Sequence, residues 1–245
     1  MKKKFLKKNI DHIYYYPKHV AIIMDGNRRW AKKNKKLKFL GHKEGIKTVK
    51  KIISLSLKYK IKVLTLYAFS SENWKRSDQE IKFLMNLFQR ILDIETINLK
   101  KQDICLKIIG NINQLNFSLQ KSITKAELLT KNNHKLLLNI AINYGGRWDI
   151  INSVKKIAFK IYKKILHPND INENMISNYL CLNNIFPVDL VIRTGGEYRI
   201  SNFLIWQIAY SELYFTQTLW PDFNEYDFKQ ALNSFKKRNR RFGGN

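Results

Sequence analysis

Short apolar runs of strand length recur along this chain, and that recurrence constrains its fold more than any other feature. They fall at Val20–Met24, Val63–Phe69, Ile104–Ile109, Leu136–Ile142, Leu190–Arg193 and Leu213–Thr216. Helical patterns separate most of them. Between the first two, Ile46, Val49, Ile52, Ile53, Ser56 and Leu57 share one face while Lys47, Lys50, Lys51 and Lys58 lie elsewhere. The alternation predicts an α/β fold with a largely parallel central sheet flanked by helices. Further helices are expected over Gly146–Lys164, with Trp148, Ile151, Val154, Ile157, Ala158 and Ile161 as the apolar face, and over Glu225–Arg240. The segment Ser77–Lys100 is apolar on more than one side, so it needs two apolar neighbours. One is the sheet; the other is a partner chain or an elongated lipid pocket, unless the helix is simply buried in the core.

With 245 residues, 44% of them hydrophobic, the chain can bury one substantial core, and no linker-like stretch divides it. The expected organisation is a single domain over residues 19–245, behind a basic, mobile arm over residues 1–18. Phe5 and Leu6 are too short a run for a signal peptide, and no apolar run is long enough to span a bilayer. Cys105 and Cys181 have no metal-ligand spacing and read as buried thiols in a reducing cytoplasm. A net charge of +26 allows binding to any polyanion. Most of it, however, is Lys spread over every helix beside abundant Ile and Asn, the bias of an AT-rich genome, so no nucleic-acid partner is assigned. The excess suits anionic substrates or an anionic lipid surface, with transient contact at the inner face of the membrane.

The first apolar run stops at Asp25 and continues as Gly26-Asn27-Arg28-Arg29-Trp30. A strand, turn and helix in that order is where open α/β sheets bind ligands. Free backbone N–H groups, two guanidinium groups and one carboxylate can hold a phosphate together with a divalent cation. A solvated capping turn with an incidental acid is the alternative. The second run leads into Ser70-Ser71-Glu72-Asn73-Trp74-Lys75-Arg76, and the fifth into Arg193-Thr194-Gly195-Gly196-Glu197-Tyr198-Arg199-Ile200-Ser201. Brought to one sheet edge, these loops set Arg76, Arg193 and Arg199 beside Asp25, which suits two diphosphates. Any one of these arginines alone reads as a surface ion pair; the set does not.

These segments carry a resemblance. His19 to Asn27, Gly41-His42, Leu66 to Trp74, Asn143 to Arg147, Asp189 to Glu197 and Trp220 to Phe223 follow one another as in the cis-prenyltransferase family, nearest to its bacterial branch that makes undecaprenyl diphosphate. The likeness runs from about His19 to Gly244. It implies a homodimeric enzyme that condenses isopentenyl diphosphate repeatedly onto farnesyl diphosphate, each new double bond cis, with the chain growing into a hydrophobic tunnel. The product would be a lipid carrier precursor for cell-wall glycans. By the same resemblance Gly26, Asn27, Arg28, Arg29, Trp30, Lys38 and His42 would hold the allylic diphosphate. Arg193, Arg199, Ile200 and Ser201 would take the isopentenyl unit, and Ser70, Ser71, Glu72, Asn73, Trp74 and Arg76 would line the reacting centre. Asp25 and Glu212 would coordinate magnesium (Mg2+). Asn73 would orient or relay the leaving proton while a diphosphate oxygen accepts it, since a neutral amide is a poor base.

The resemblance also places Leu136 near the closed end of the tunnel, against a role as ordinary core. It sends the tail Arg241-Phe242-Gly243 towards the partner's active site, against a frayed terminus. Three positions depart from the family pattern: Lys38 stands where Arg is usual and lacks its fork, Arg28 replaces a small residue, and Tyr198 occupies a frequent His position. Two rival readings remain. A phosphohydrolase with Asp25 as nucleophile is weakened by Asn27, where a second acid is usual; a basic RNA-binding module predicts no diphosphate turnover. A trans-prenyltransferase is disfavoured by the absence of a DDxxD-type motif.

Overall fold

In a parallel sheet covered on both sides, alternate strand residues feed two separate cores. The computed structural model, which describes residues 16–238, obeys that rule. Its strands are β1 (His19–Ile23), β2 (Val63–Ser70), β3 (Ile104–Ile109), β4 (Leu136–Tyr144), β5 (Leu190–Arg193) and β6 (Glu212–Phe215). They lie in the order β3-β4-β2-β1-β5-β6, every pairing parallel. The helices are α1 (Asn27–Lys33), α2 (Lys38–Lys58), α3 (Asp78–Lys101), α4 (Phe117–Thr130), α5 (Gly146–Tyr162), α6 (Glu173–Tyr179) and α7 (Glu225–Lys236). The expected α/β class is therefore present.

Val20, Ile22, Leu64, Leu66, Leu136 and Leu138 feed the larger core, closed by Ile52 of α2, Leu84 of α3, Ile123 of α4 and Phe228 of α7. Ala21, Ile23, Tyr67 and Val191 feed the smaller one, closed by Leu182, Phe203, Leu204 and the half-buried Trp148 of α5. Because β1 is central, with β2 on one side and β5 on the other, the chain changes winding direction between the carboxyl ends of β1 and β5. That crevice is the topological switch point where ligands of open α/β sheets bind.

Several expectations are corrected. Helix α7 stops at Lys236 rather than Arg240, and β4 continues to Tyr144. Only part of the apolar face expected for α5 turns inward: Ile157 is buried and Trp148 half-buried, but Ile151 and Val154 are 55% and 52% exposed, and Gly146, Asp149 and Ser153 are buried beside Ile157. Asp149 can face inward because its carboxylate accepts from the Tyr144 hydroxyl at 2.9 Å, the Cys181 N–H at 3.0 Å and Gln207 Nε2 at 3.0 Å. Both cysteines are half-buried, and burial holds each thiol pKa above its ordinary value. Tyr16 packs on Tyr59 with ring centroids 5.4 Å apart, and Lys18 N–H donates to Asp189, so residues 16 to 18 belong to the packed fold. The rest of the arm and the tail Arg241 to Gly243 lie outside the described residues. No helix among the described residues is long and apolar enough to cross a membrane.

Candidate active site

Asp25 leaves β1 directly at the switch point. One of its carboxylate oxygens accepts from Arg193 Nη2 at 2.8 Å, and the other lies 3.2 Å from Arg29 Nη2. Its backbone carbonyl accepts from the Thr194 hydroxyl at 2.7 Å and the Trp220 N–H at 3.0 Å, which fixes the strand end. Arg193 is 4% exposed and also donates to Ser201 Oγ at 2.8 Å and to the Arg199 carbonyl. Arg199 thus contributes its backbone, while its side chain is exposed and pairs with Glu197. A side chain at Gly195 would put a Cβ 2.6 Å from Arg29 Nη2, and φ there is +88°, so glycine is what lets this loop close on the Asp25 turn.

A second charged cluster sits between α2 and α3. Glu80, 2% exposed, lies 3.0 Å from Arg76, 3.5 Å from Lys38 and 3.8 Å from His42. Burial, helped by the Arg76 charge, pushes the His42 pKa down to about 4, so the ring is neutral near pH 7 and offers one N–H. Burial opposes ionisation of Glu80, yet Arg76, Arg28 and Lys38 around it hold its pKa below the ordinary carboxylate value. Sequence reasoning missed Glu80. In Ser77-Asp78-Gln79-Glu80 it reads as the last member of a helix capping box, but Ser77 makes no side-chain cap bond and Glu80 turns inward instead.

The 3-10 turn Ser71–Lys75 places the remaining candidates. Asn73 Oδ1 accepts from the Ser70 N–H at 3.2 Å, so the amide presents its NH2 group outward. Glu72 accepts from Asn202 Nδ2 at 2.7 Å, a second contact that the sequence did not reveal. Trp74 Nε1 donates to Asn143 Oδ1 at 2.7 Å.

A cavity of 1390 Å³ opens at these strand ends. Asp25, Gly26, Asn27, Arg28, Arg29, Lys38, His42, Ser70, Glu72, Asn73, Arg76, Arg193, Ile200 and Ser201 all border it. Further walls come from Leu84, Leu87, Phe88, Ile91 and Leu92 of α3 and from the mid-strand residues Leu66, Ile108 and Ile140. One of the two apolar sides of α3 therefore faces this cavity, and α3 also packs on α4. Three buried polar atoms at the site have no hydrogen-bond partner: Asn27 Oδ1, His42 Nε2 and Arg193 Nε. Arg193 Nε is a donor and suits an anion, whereas Asn27 Oδ1 is an acceptor and suits a donor or a cation, so the site has open valences of both kinds.

Other candidates are not on the cavity wall. Trp30 is 8% exposed and donates Nε1 to Asp222 at 2.6 Å, so it ties α1 to the Trp220–Asp222 turn. Ser71, Trp74 and the Arg199 side chain also lie off the wall, and Leu136 is fully buried in the sheet core. Tyr198 rests on Phe215, its hydroxyl accepting from Gln217 Nε2 at 3.2 Å. Glu212 opens β6 in register with Leu190, which pairs with Val20, so within one chain it stands five residues from Asp25 along the strand direction, about 16 Å, and two strands across the sheet. It pairs there with Arg238.

Asp25, at the switch point, and Glu72 are the carboxylates that border this cavity. Among the described residues no group of three metal-ligating side chains occurs. Magnesium is commonly held by one or two carboxylates together with substrate phosphates, and an acid flanked by Arg29 and Arg193 fits that arrangement.

Comparison with known proteins agrees with this geometry. The family profile described as "Putative undecaprenyl diphosphate synthase" matches residues 23–243. The ditrans,polycis-undecaprenyl-diphosphate synthase ((2E,6E)-farnesyl-diphosphate specific) of Buchnera aphidicola is 60% identical over 228 residues, covering 93% of this chain and 91% of its own. The enzyme of that name from Escherichia coli K12 is 55% identical over 227 residues, covering 93% and 90%. Among solved structures, lavandulyl diphosphate synthase from Lavandula x intermedia, in complex with dimethylallyl diphosphate, superposes with a TM-score of 0.90 at 41% identity, covering 93% of this chain and 98% of that one. With most of its length matched and the switch-point turn, the arginine loop and the cavity in place, the chain belongs to the cis-prenyltransferase family of undecaprenyl diphosphate synthases.

Proposed function

We propose that this enzyme condenses isopentenyl diphosphate units sequentially onto farnesyl diphosphate, each in cis, to give a long-chain polyprenyl diphosphate of the undecaprenyl class, the lipid carrier precursor for cell-wall glycans. The observation that carries the reading is the continuity of one cavity: the cations of the Asp25 and Glu80 clusters and three unsatisfied buried polar atoms border it, and apolar side chains of α3, β3 and β4 extend the same space. Arg28, Arg29, Lys38 and His42 take the starter diphosphate. Arg193, held by Ser201 and the Arg199 carbonyl, takes the isopentenyl one. Ionisation of the starter leaves negative charge on its diphosphate and positive charge on its allylic carbon. The arginines stabilise the first, and the apolar walls exclude water from the second. Asn73 has its amide oxygen engaged by Ser70, so it donates a hydrogen bond and orients the incoming unit, and a diphosphate oxygen accepts the proton. Asp25 would hold magnesium, which would supply further neutralisation of the leaving charge.

The exposed row Ile151, Val154 and Tyr162 on α5 supports a homodimer, since an apolar helix face on an otherwise basic surface calls for a self-complementary cover. The protein is expected to work in the cytoplasm. Incubation with farnesyl diphosphate, labelled isopentenyl diphosphate and magnesium, followed by chromatography, tests the activity. Long labelled polyprenyl products are expected; release of phosphate without chain growth would favour a phosphohydrolase.

A further inference from the structure

A product that carries many apolar isoprene carbons on one diphosphate has no stable place in water, so lipid contact matters most at the mouth from which it leaves. The surface beside that mouth is unusual. From residue 26 to residue 43 the chain has eight Lys and Arg and no Asp or Glu. The turn between α1 and α2 is exposed from Asn34 to Leu37, with Leu37 72% exposed and Leu40, in the first turn of α2, 42%. It is a formed turn. The Lys36 N–H donates to the Ala31 carbonyl and the Leu40 N–H to the Leu37 carbonyl. Lys32, Lys36 and Lys38 border the cavity, so this turn and the mouth are one continuous surface. Lys38 pairs with Glu80 and Lys36 lies over the Trp30 ring, while Lys33 and Lys35 form no ion pair among the described residues.

We propose that the segment Lys32 to Leu40 docks the enzyme on an anionic lipid bilayer, setting Leu37 and Leu40 among the headgroups and the cavity mouth against the membrane. The inference rests on the prenyl-transfer reading for the nature of the product. Cations in a cluster suit any polyanion, but two exposed leucines among them suit only a partner with an apolar phase. Lipid is therefore favoured over nucleic acid.

The test uses the full chain without substrates, partitioned onto phosphatidylcholine vesicles with and without phosphatidylglycerol. Wild type should bind the anionic vesicles at least about tenfold better than the neutral ones. Lys33→Glu with Lys35→Glu should lower that binding about tenfold or more, and Leu37→Ser several-fold. A charge-matched control on exposed α4, Lys121→Glu with Lys125→Glu, should lower it less than about twofold. Circular dichroism and chain elongation in detergent should be unchanged in the loop variants, which shows that they fold and separates this test from that of the reaction itself. Equal losses in the loop pair and the control pair would overturn the proposal, because net charge alone would then explain binding. So would full retention by Leu37→Ser together with tight single-stranded RNA binding that the loop pair abolishes.

Discussion

Two buried polar networks sit at opposite ends of the same strands, and they differ in how they end. At the amino end, His19 Nδ1 donates to the Phe186 carbonyl at 2.7 Å and Nε2 accepts from the Thr65 hydroxyl at 2.8 Å, while Asn139 Nδ2 donates to Thr65 Oγ1 at 3.1 Å. All three side chains are buried, and only Asn139 Oδ1 is left without a partner. At the carboxyl end, the Asp25 and Glu80 clusters open into a cavity and leave atoms of Asn27, His42 and Arg193 unsatisfied. A network that closes on the protein contributes stability and register across the sheet. A network that ends in a cavity is completed by something the chain does not contain, and so it is read as a binding site.

The largest expected effect breaks the open network at its centre. Asp25→Ala should lower turnover by about a thousandfold or more, because it removes the carboxylate through which a metal and a diphosphate would meet. Its carboxylate also pairs with the buried Arg193, so the same variant should lose about 1–3 kcal/mol of stability as well, far less than the change in turnover. Steady-state kinetics and a urea melt on the same preparation check both halves. Near-normal turnover would remove Asp25 from the chemistry.

Next in size is a test of whether the open network has two addresses. Arg193→Ala deletes a buried fork assigned to the isopentenyl diphosphate, worth about 1.5–3 kcal/mol as a charge-assisted contact, or roughly 10- to 150-fold in KM. The KM for farnesyl diphosphate should change by only a few-fold, and Arg29→Ala should show the opposite split. Equal weakening of both substrates by either variant would merge the two sites into one.

The closed network should respond in the other currency, stability. Thr65→Val keeps the shape but leaves His19 Nε2 and Asn139 Nδ2 without partners, which should cost about 1–3 kcal/mol in a urea melt. KM and kcat of the folded enzyme should stay at wild-type values. A kinetic change as large as the stability change would mean that the two ends of the sheet are coupled.

The same contrast explains what the sequence revealed. Apolar strand runs and the acid that ends β1 follow from local pattern, so the sheet, Asp25 and the Arg193 loop were legible. What failed depends on partners remote in sequence. α5 turns Asp149 inward rather than Ile151 because Tyr144, Cys181 and Gln207 satisfy the carboxylate, and no local period encodes them. Glu80 stayed out of view because, besides its neighbour Arg76, the partners that draw it inward, Lys38 and His42, lie about forty residues away. Trp30 and Glu212 take their site roles from the resemblance alone; within one chain Trp30 packs on Asp222 and Glu212 opens β6 at the amino end of the sheet.

The smallest and sharpest test uses one histidine from each network. Burial lowers the pKa of both His19 and His42 to about 4, against 6.5 in an unfolded chain. Between those values the unfolded chain holds a proton on each ring that the folded chain lacks, so stability is full above pH 6.5 and is lost as pH falls towards 4. The slope approaches about 1.4 kcal/mol per pH unit for each ring. Melts read above pH 5 leave out Glu72 and Glu80, whose lowered pKa values act below the usual carboxylate range, while Glu127, whose pKa burial raises, contributes alike to wild type and to each His→Gln variant and cancels in their difference. Replacing either ring with Gln should remove about half the slope. Inorganic diphosphate then separates the two networks. It brings negative charge to the cations around His42 and should raise that pKa towards its ordinary value, while His19, enclosed by Phe186 and Thr65, should not respond. Nitrogen-15 imidazole spectra across the titration, with and without diphosphate, make the comparison directly. If both rings shift together, or if His42 stays low in saturating diphosphate, the distinction between a closed and an open network at the two ends of this sheet fails.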